Sequence, residues 1–261
     1  RSVKLTKDGT LFLTHASEII SRIEEATNTM TKSKDNLRGS ITLGFVPSMA
    51  SNILPLIANH LRNKLPHIKL IFKEYMSYEQ VPALNAGNLD IGLTRLPKDL
   101  KAFNYSRVVS EPYYLAVNEN NKLSKKDEIS IYDLHDEDFI MYDAIIGKYS
   151  FELLSSLFLN SGVKPNYVQY VSQPSVFLGL VKASVGVALL ASSCRENLPE
   201  NVLFKKILLP EWVRADVYLA TKKDPKNKLI PEVYNSIMEA LYSAEKNKLN
   251  IAYAIEKNIY T

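Results

Sequence analysis

The residues in this sequence best suited to chemistry are polar groups that follow short apolar runs. Ser48 and Ser51 follow Ile41-Thr42-Leu43-Gly44-Phe45-Val46, Ser77 follows the run from Ile68 to Lys73, and Arg95 closes Asp90-Ile91-Gly92-Leu93-Thr94-Arg95. Each serine is suited to capping the helix after it, and that is one reading. The other is anion binding. A helix N-terminus contributes about 0.3–1 kcal/mol toward a nearby negative charge, and a charge-assisted hydrogen bond about 1.5–3 kcal/mol. One arginine beside two or three helix N-termini suits a small carboxylate; Arg95 is equally suited to a salt bridge joining two parts of the fold.

Reactive chemistry has less behind it. The nine glycines form neither a Gly-x-Gly-x-x-Gly nor a Gly-x-x-x-x-Gly-Lys-Ser/Thr run, and no Gly-x-Ser-x-Gly elbow occurs. His15, His60, His67 and His135 show no i, i+4 pairing, and a single cysteine adds no zinc set. The acidic run from Asp133 to Asp138 lacks the spacing and the glycine of a calcium loop. Cys194 follows Ser192-Ser193 without an evident His partner and reads as structural. The expectation is no catalytic residue, no metal and no cofactor: not an enzyme.

Those polar groups need a scaffold that gathers strand ends. The chain has 261 residues, 46% apolar and 23% charged, with a formal net charge of +4. This supports one large domain or two small ones, and excludes disorder and a disulfide framework. The positive surplus is too mild to mark a nucleic-acid surface by itself. No run of eighteen apolar residues exists, so no membrane span is expected. The opening Arg1-Ser2-Val3-Lys4 carries no secretory signal, which fits a soluble protein of a reducing compartment. A chain opening on Arg1 is expected to be a fragment or processed product; a mature protein shorn of its signal is the alternative.

After Gly39 the texture alternates. Strands are expected at 41–46, 68–73, 89–95, 113–117, 139–142, 167–171, 185–190 and 213–221, and helices at 52–64, 77–87, 149–161, 175–183 and 231–242. Such alternation predicts a parallel sheet with right-handed crossovers. Two β/α units with a cleft between them follow, with the chain crossing near Ser110-Glu111 and near Pro210-Glu211. Ligands of open α/β sheets sit beyond the carboxyl ends of the strands, which puts Pro47–Ser51, Met76-Ser77-Tyr78 and Ala144–Ser150 at the cleft. Ahead of Gly39, Leu13, Ala16, Ile20, Ile23, Thr27 and Met30 recur at spacings of three and four, predicting a helix from Thr6 to about Lys34, roughly 40 Å long. Its apolar stripe has no helical neighbour in sequence, so pairing with a second copy is the simplest burial; lying on its own domain is the alternative. Residues 249–260 read as an amphipathic helix or a fray.

The sequence resembles the LysR-type transcriptional regulators. The resemblance runs from Arg1-Ser2-Val3-Lys4-Leu5-Thr6-Lys7-Asp8-Gly9, like a DNA-binding wing entering a linker helix, through Arg38-Gly39-Ser40-Ile41-Thr42-Leu43-Gly44-Phe45. Ile53-Leu54-Pro55, Leu65-Pro66, the segment from Leu84 to Arg95, Gly179-Leu180-Val181 and Gly186-Val187 follow in the family's order and spacing, to about Ala244. The opening Gly-Phe-Val-x-Ser and the Gly-Leu-x-Arg strand are most similar to the branch responding to aromatic-degradation intermediates such as muconate and benzoate.

The resemblance implies an α/β, two-lobed, periplasmic-binding-protein-like (type 2) effector domain preceded by a long linker helix. In its terms residues 1–5 are the remnant of the wing and 6–36 the linker helix, dimerising through Leu13, Ala16, Ile20, Ile23 and Met30. Residues 39–247 are the effector domain, with lobe I at about 39–111 and 213–247 and lobe II at about 112–212; 248–261 are a C-terminal helix or tail. It implies an effector, a carboxylate or aromatic acid, held by Ser48, Met49, Ser77, Arg95, Tyr149, Ser150 and Ser175. It further implies DNA contact only through a winged helix-turn-helix missing from this chain, a homodimer or homotetramer, a possible RNA polymerase contact, no membrane, and a cytoplasmic location. A transporter's periplasmic-type solute-binding protein would share the lobes, though the long helix argues against it. Departures from the family are Ser184 for the first glycine of the usual Gly-x-Gly, Ala191 for the usual proline, and the segment from Asp143 to Gly147.

Overall fold

The computed structural model describes residues 5–9, 12–13, 15–16, 19–20, 22–23, 38–50, 53–95 and 102–246, with backbone only at 196–197 and 244–246. Residues 1–4 of the expected wing, Met30 of the expected dimer face and the 248–261 tail lie outside them. The described residues at 7–9, 12–13, 15–16, 19–20 and 22–23 are helical and are termed α1. Leu13, Ile20 and Ile23 are each more than half exposed, at 53%, 58% and 61%, and Phe12 and Ile19 are exposed with them.

Strand β1 (Gly39–Phe45) pairs in parallel with β2 (Ile68–Glu74) along its whole length, and with β3 (Ile91–Thr94) from Leu43 to Phe45. With β2 on one side and β3 on the other, the winding direction reverses at β1, which opens a crevice beyond its carboxyl end. The expected all-parallel sheet stops there. Strands β4 (Phe103–Asn118) and β11 (Arg214–Lys222) pair antiparallel with each other, β11 also pairs antiparallel with β3, and β8 (Ala188–Ala191) and β9 (Val202–Lys205) run antiparallel to β4. The order is β2-β1-β3-β11-β4-β8, with β9 also on β4. Strand β4 begins at Phe103, well before the expected Tyr113. Its first half is polar at alternate positions and forms a strand because β11 supplies partners, a tertiary decision that local propensity does not contain. A short parallel pair, β5 (Ile129–Ser130) with β10 (Ile207–Leu208), and a longer one, β6 (Asp138–Tyr142) with β7 (Asn166–Val171), complete the strands.

Two cores flank the crossing strands. In the first, Ile53, Ile57 and Leu61 of α2 (Ile53–Lys64) and Val233, Tyr234, Ile237 and Leu241 of α6 (Ile230–Lys246) cover β1 and β3, joined by Val108, Val109, Val217 and Leu219. The helical residues recur at three and four, one buried stripe per helix. Helix α3 (Ser77–Ala86) covers the opposite sheet face with Ala83 and Leu84. The second core packs α4 (Lys148–Ser161) through Leu154, Leu157 and Phe158 against Tyr113, Leu115, Phe139, Met141 and Ala215. Its other side packs α5 (Pro174–Lys182) through Phe177, Leu178 and Val181. The chain therefore changes core between Val109 and Tyr113 in β4, and between Ala215 and Val217 in β11.

Ser184 explains one departure from the family pattern. After α5 the Ser184 N–H donates to Val181 O and the Val185 N–H to Leu180 O, both at 3.0 Å, the bond pair of a Schellman end. That ending holds Ser184 at φ 59, a conformation glycine adopts without a Cβ penalty. Two residues on, a Cβ at Gly186 would lie 2.7 Å from the Asp138 carbonyl, so that glycine is required by space. Ser184→Gly is expected to raise the unfolding free energy by about 1 kcal/mol, the strain of a left-handed residue bearing a Cβ. Urea denaturation of the two proteins measures it, and an equal or lower midpoint for the variant would contradict the strain.

Candidate functional site

The first wall of the crevice is built where β1, β2 and β3 end. β1 leads into a 3-10 turn, Pro47–Met49, closed by Met49 N–H to Val46 O at 2.9 Å. Arg95, one residue past β3, ties the strand ends together: its Nη2 donates to Ser48 Oγ at 3.1 Å and its backbone N–H to Ser77 Oγ at 3.0 Å. Ser77 thus accepts from a neighbouring strand rather than capping its own helix. The Glu79 carboxylate binds the Met76 N–H at 2.8 Å instead. Beneath this wall the Gln80 amide, fully buried, donates to the carbonyls of Tyr75 (3.1 Å) and Leu93 (3.0 Å), fixing the segments that deliver Ser77 and Arg95. Gly44 and Gly92, paired across β1 and β3, leave room for it; a Cβ on Gly92 would come within 2.6 Å of Gln80 Oε1.

Arg95 is the electrostatic centre. Its residue is 9% exposed, and among the described residues no carboxylate pairs with it. Nη1 donates to the Asp216 carbonyl at 3.2 Å, whereas the Asp216 carboxylate lies 3.7 Å from Arg107. Among the described residues the salt-bridge alternative open in the sequence therefore finds no partner. A guanidinium has five donors, and a hydroxyl and a carbonyl leave part of its demand and all of its charge unmet. The Tyr149 ring lies 5.8 Å from its Cζ, a cation–π contact from the opposite wall.

That opposite wall belongs to the second core. Tyr113 OH and Ser150 Oγ are hydrogen-bonded at 3.1 Å, and Tyr142 packs on Phe177 with ring centroids 4.6 Å apart. The Asp143 carboxylate accepts from the N–H groups of Ile146 and Ile145 (2.8 and 2.9 Å), which shapes the turn into α4 and holds its pKa below the usual range. Burial pushes the hydroxyls of Tyr113, Tyr142 and Tyr149 up, so they stand neutral as hydrogen-bonding groups. The Cys194 thiol is pushed up to about 12, first by burial and then by Glu111, with Arg95 opposing. A thiol so held is protonated and a poor nucleophile.

Between the walls lies a crevice that opens to solvent at its mouth. Ser48, Ser77, Arg95, Tyr149 and Ser150 of the sequence-predicted set line it together. Met49 and Ser175 do not. Met49 is 0% exposed, turned by the 3-10 turn into the first core, and Ser175 sits on the exposed side of α5, where Pro174 and Ser172 take the lining position. Tyr113, Tyr142 and Cys194 line it without having been singled out as site residues. Their signal was positional: each lies in or just after a strand of the second unit whose neighbouring loops bear on the cleft. The described lining contains Arg95 and Lys148 but no Asp or Glu, and the first residues of α3, α4 and α5 contribute their N-terminal dipoles to it. The arrangement can bind a small anion with an apolar, unsaturated body; among its described lining residues the one thiol is held protonated.

Residues 34–240 match the family of the LysR substrate binding domain. The chain is similar to the HTH-type transcriptional regulator AlsR of Bacillus subtilis (strain 168), 30% identical over 238 residues, 88% of this chain and 76% of AlsR. It is similar also to the HTH-type transcriptional regulator BenM of Acinetobacter baylyi (strain ATCC 33305 / BD413 / ADP1), 26% identical over 247 residues, 94% of this chain and 80% of BenM. The structure of the BenM effector binding domain with its effector benzoate superposes with a TM-score of 0.71 at 25% identity, covering 79% of this chain and 93% of that one. Full-length BenM gives 0.72 at 25% identity, covering 94% and 80%.

The buried thiol has a consequence for stability. Its folded pKa, raised from 9.0 to about 12, means that the folded state holds a proton that the unfolded chain releases above pH 9. The contribution is full below pH 9 and is lost as pH rises from 9 toward 12. Urea midpoints are expected to fall across the accessible alkaline part of that window, and less steeply for Cys194→Ala. Parallel profiles for the two proteins would contradict the burial of a neutral thiol.

Proposed function

The chain belongs to the family of LysR substrate binding domains, and we propose that it is the effector-sensing part of a LysR-type transcriptional regulator whose effector is a small carboxylic acid, aromatic or otherwise unsaturated. The observation that carries this reading is Arg95: a buried cation with no carboxylate partner among the described residues, set where strand ends and helix N-termini meet a wall of neutral tyrosines. A carboxylate entering the crevice would complete the guanidinium's fork, with the Ser48 and Ser77 hydroxyls beside it and the rings of Tyr149, Tyr113 and Tyr142 along its body. Ser150 would hold Tyr113 in place.

The BenM likeness, with benzoate as the effector of that domain, supports an aromatic acid and the aromatic-degradation branch. AlsR and BenM, both named HTH-type regulators, support a winged helix-turn-helix N-terminal to α1 as the DNA-reading unit. In this reading the exposed stripe of α1 pairs with a second copy in a dimer or tetramer, the protein works in the cytoplasm, and RNA polymerase is a partner. No observation favours a transporter's solute receptor. Effector control requires only that the ligand bind two lobe arrangements with different affinity.

Calorimetry on this chain with aromatic and dicarboxylic acids, each paired with its uncharged amide, tests the proposal. The acids are expected to bind and the amides to bind at least about tenfold more weakly, the worth of a charge-assisted hydrogen bond. Arg95→Met is expected to erase that preference. Equal affinity for acid and amide, or a preference surviving in Arg95→Met, would sink the anion-binding reading.

A further inference from the structure

The edge of β11 at the crossing is finished by side chains instead of a strand. Among the described residues β3 pairs with β11 from Tyr218 to Ala220, and the groups at Arg214 and Asp216 that face away from β4 meet side chains rather than a described strand. In an antiparallel strand the N–H and C=O of one residue point to the same edge. Here the Asp216 carbonyl accepts from Arg95 Nη1 at 3.2 Å, the Asp216 N–H donates to Tyr149 OH at 3.4 Å, and Tyr149 OH donates to the Arg214 carbonyl at 2.9 Å. One hydroxyl therefore acts as donor and acceptor to the same stretch of strand, in the place a neighbouring strand would occupy.

We infer that Tyr149 is a positioning residue that couples occupation of the crevice to the crossing strands. Its ring lines the crevice against Arg95, its hydroxyl belongs to the hinge, and it rides on the first turn of α4 in the second lobe. The two residues that finish the edge come from opposite lobes and touch each other, so a ligand that takes the guanidinium or displaces the ring releases or tightens both contacts at once. Asp216 and Arg214 lie where β11 passes between the cores, the place at which a change in backbone geometry alters the angle between lobes. The coupling to an effector rests on the reading of the crevice as an anion site; the hinge contact does not.

Tyr149→Phe tests it on the full chain, because the ring stays and only the hydroxyl goes. Nitroxide labels at Lys69→Cys and Asn160→Cys, exposed positions on the two lobes, report the interlobe distance, with Cys194 buried and unlabelled. Without ligand, the Asp216 amide is expected to exchange about tenfold faster in the variant, as loss of one hydrogen bond predicts. The Leu219 amide should be unchanged and the distance distribution should shift or broaden. Native exchange at Asp216 together with a native distance distribution would overturn the inference. Sodium benzoate is then the probe: resonances of Ser48 and Arg95 report binding, and the label distance reports coupling. If benzoate moves the resonances and the distance in the native protein but only the resonances in the variant, the coupling stands; an equal change of distance in both overturns it. Unmoved Ser48 and Arg95 resonances would count against benzoate at the anion site, while the ligand-free arm still decides the role of Tyr149.

Discussion

A buried positive charge that no carboxylate pairs with among the described residues is the constraint around which the rest is arranged. Arg95 is kept at the end of β3 by a hydroxyl, a carbonyl and an aromatic face, none of which neutralises it. Removing a guanidinium from water costs several kcal/mol even after relaxation, and neutral partners recover only part of that. Such a group persists where the fold gains function from its unmet demand. The wall answers the same logic, with no acidic side chain among its described residues and hydroxyls kept neutral by burial.

Holding that group in place takes much of the first lobe. Gln80 fixes the two carbonyls ahead of the functional residues, and the facing glycines of β1 and β3 give it space. Behind it α2, α6 and the sheet form a close-packed core that lets the strand ends stay still. The second lobe contributes rings and helix starts from α4 and α5, and meets the first through two strands that belong to both. Rigid walls on either side of a narrow crossing make a body with few soft degrees of freedom, and those lie where the ligand would sit.

Much of this could be read in the residues. The alternation of apolar runs with longer amphipathic stretches placed α2 through α6 within a few residues, and buried runs placed β1, β2 and β3, because each element buries its own face locally. Ser48, Ser77 and Arg95 could be gathered because parallel strand ends share one edge. The first half of β4 was hidden, since Phe103 to Arg107 is a strand only by virtue of β11, more than a hundred residues later. The antiparallel half of the sheet was hidden for the same reason. Met49 was misplaced by a single turn of 3-10 geometry that rotates its side chain inward, and Ser175 by one residue of helix phase at the start of α5. Tyr142 and Tyr113 carry no motif; only the convergence of their strands on one crevice gives them a role.

The passage of β4 and β11 through both cores bears on how the chain acquires its shape as it leaves the ribosome. The second core draws on residues from Tyr113 to Ala215, one continuous stretch, whereas the first needs Ile41 to Val109 together with Val217 to Leu241. β11 fills the middle of the sheet between β3 and β4, and α6 roofs α2, so the early strands emerge with their partners still unsynthesised. During translation the distal lobe can close on itself while the proximal one waits, its apolar strands open to chaperones until the last segment arrives.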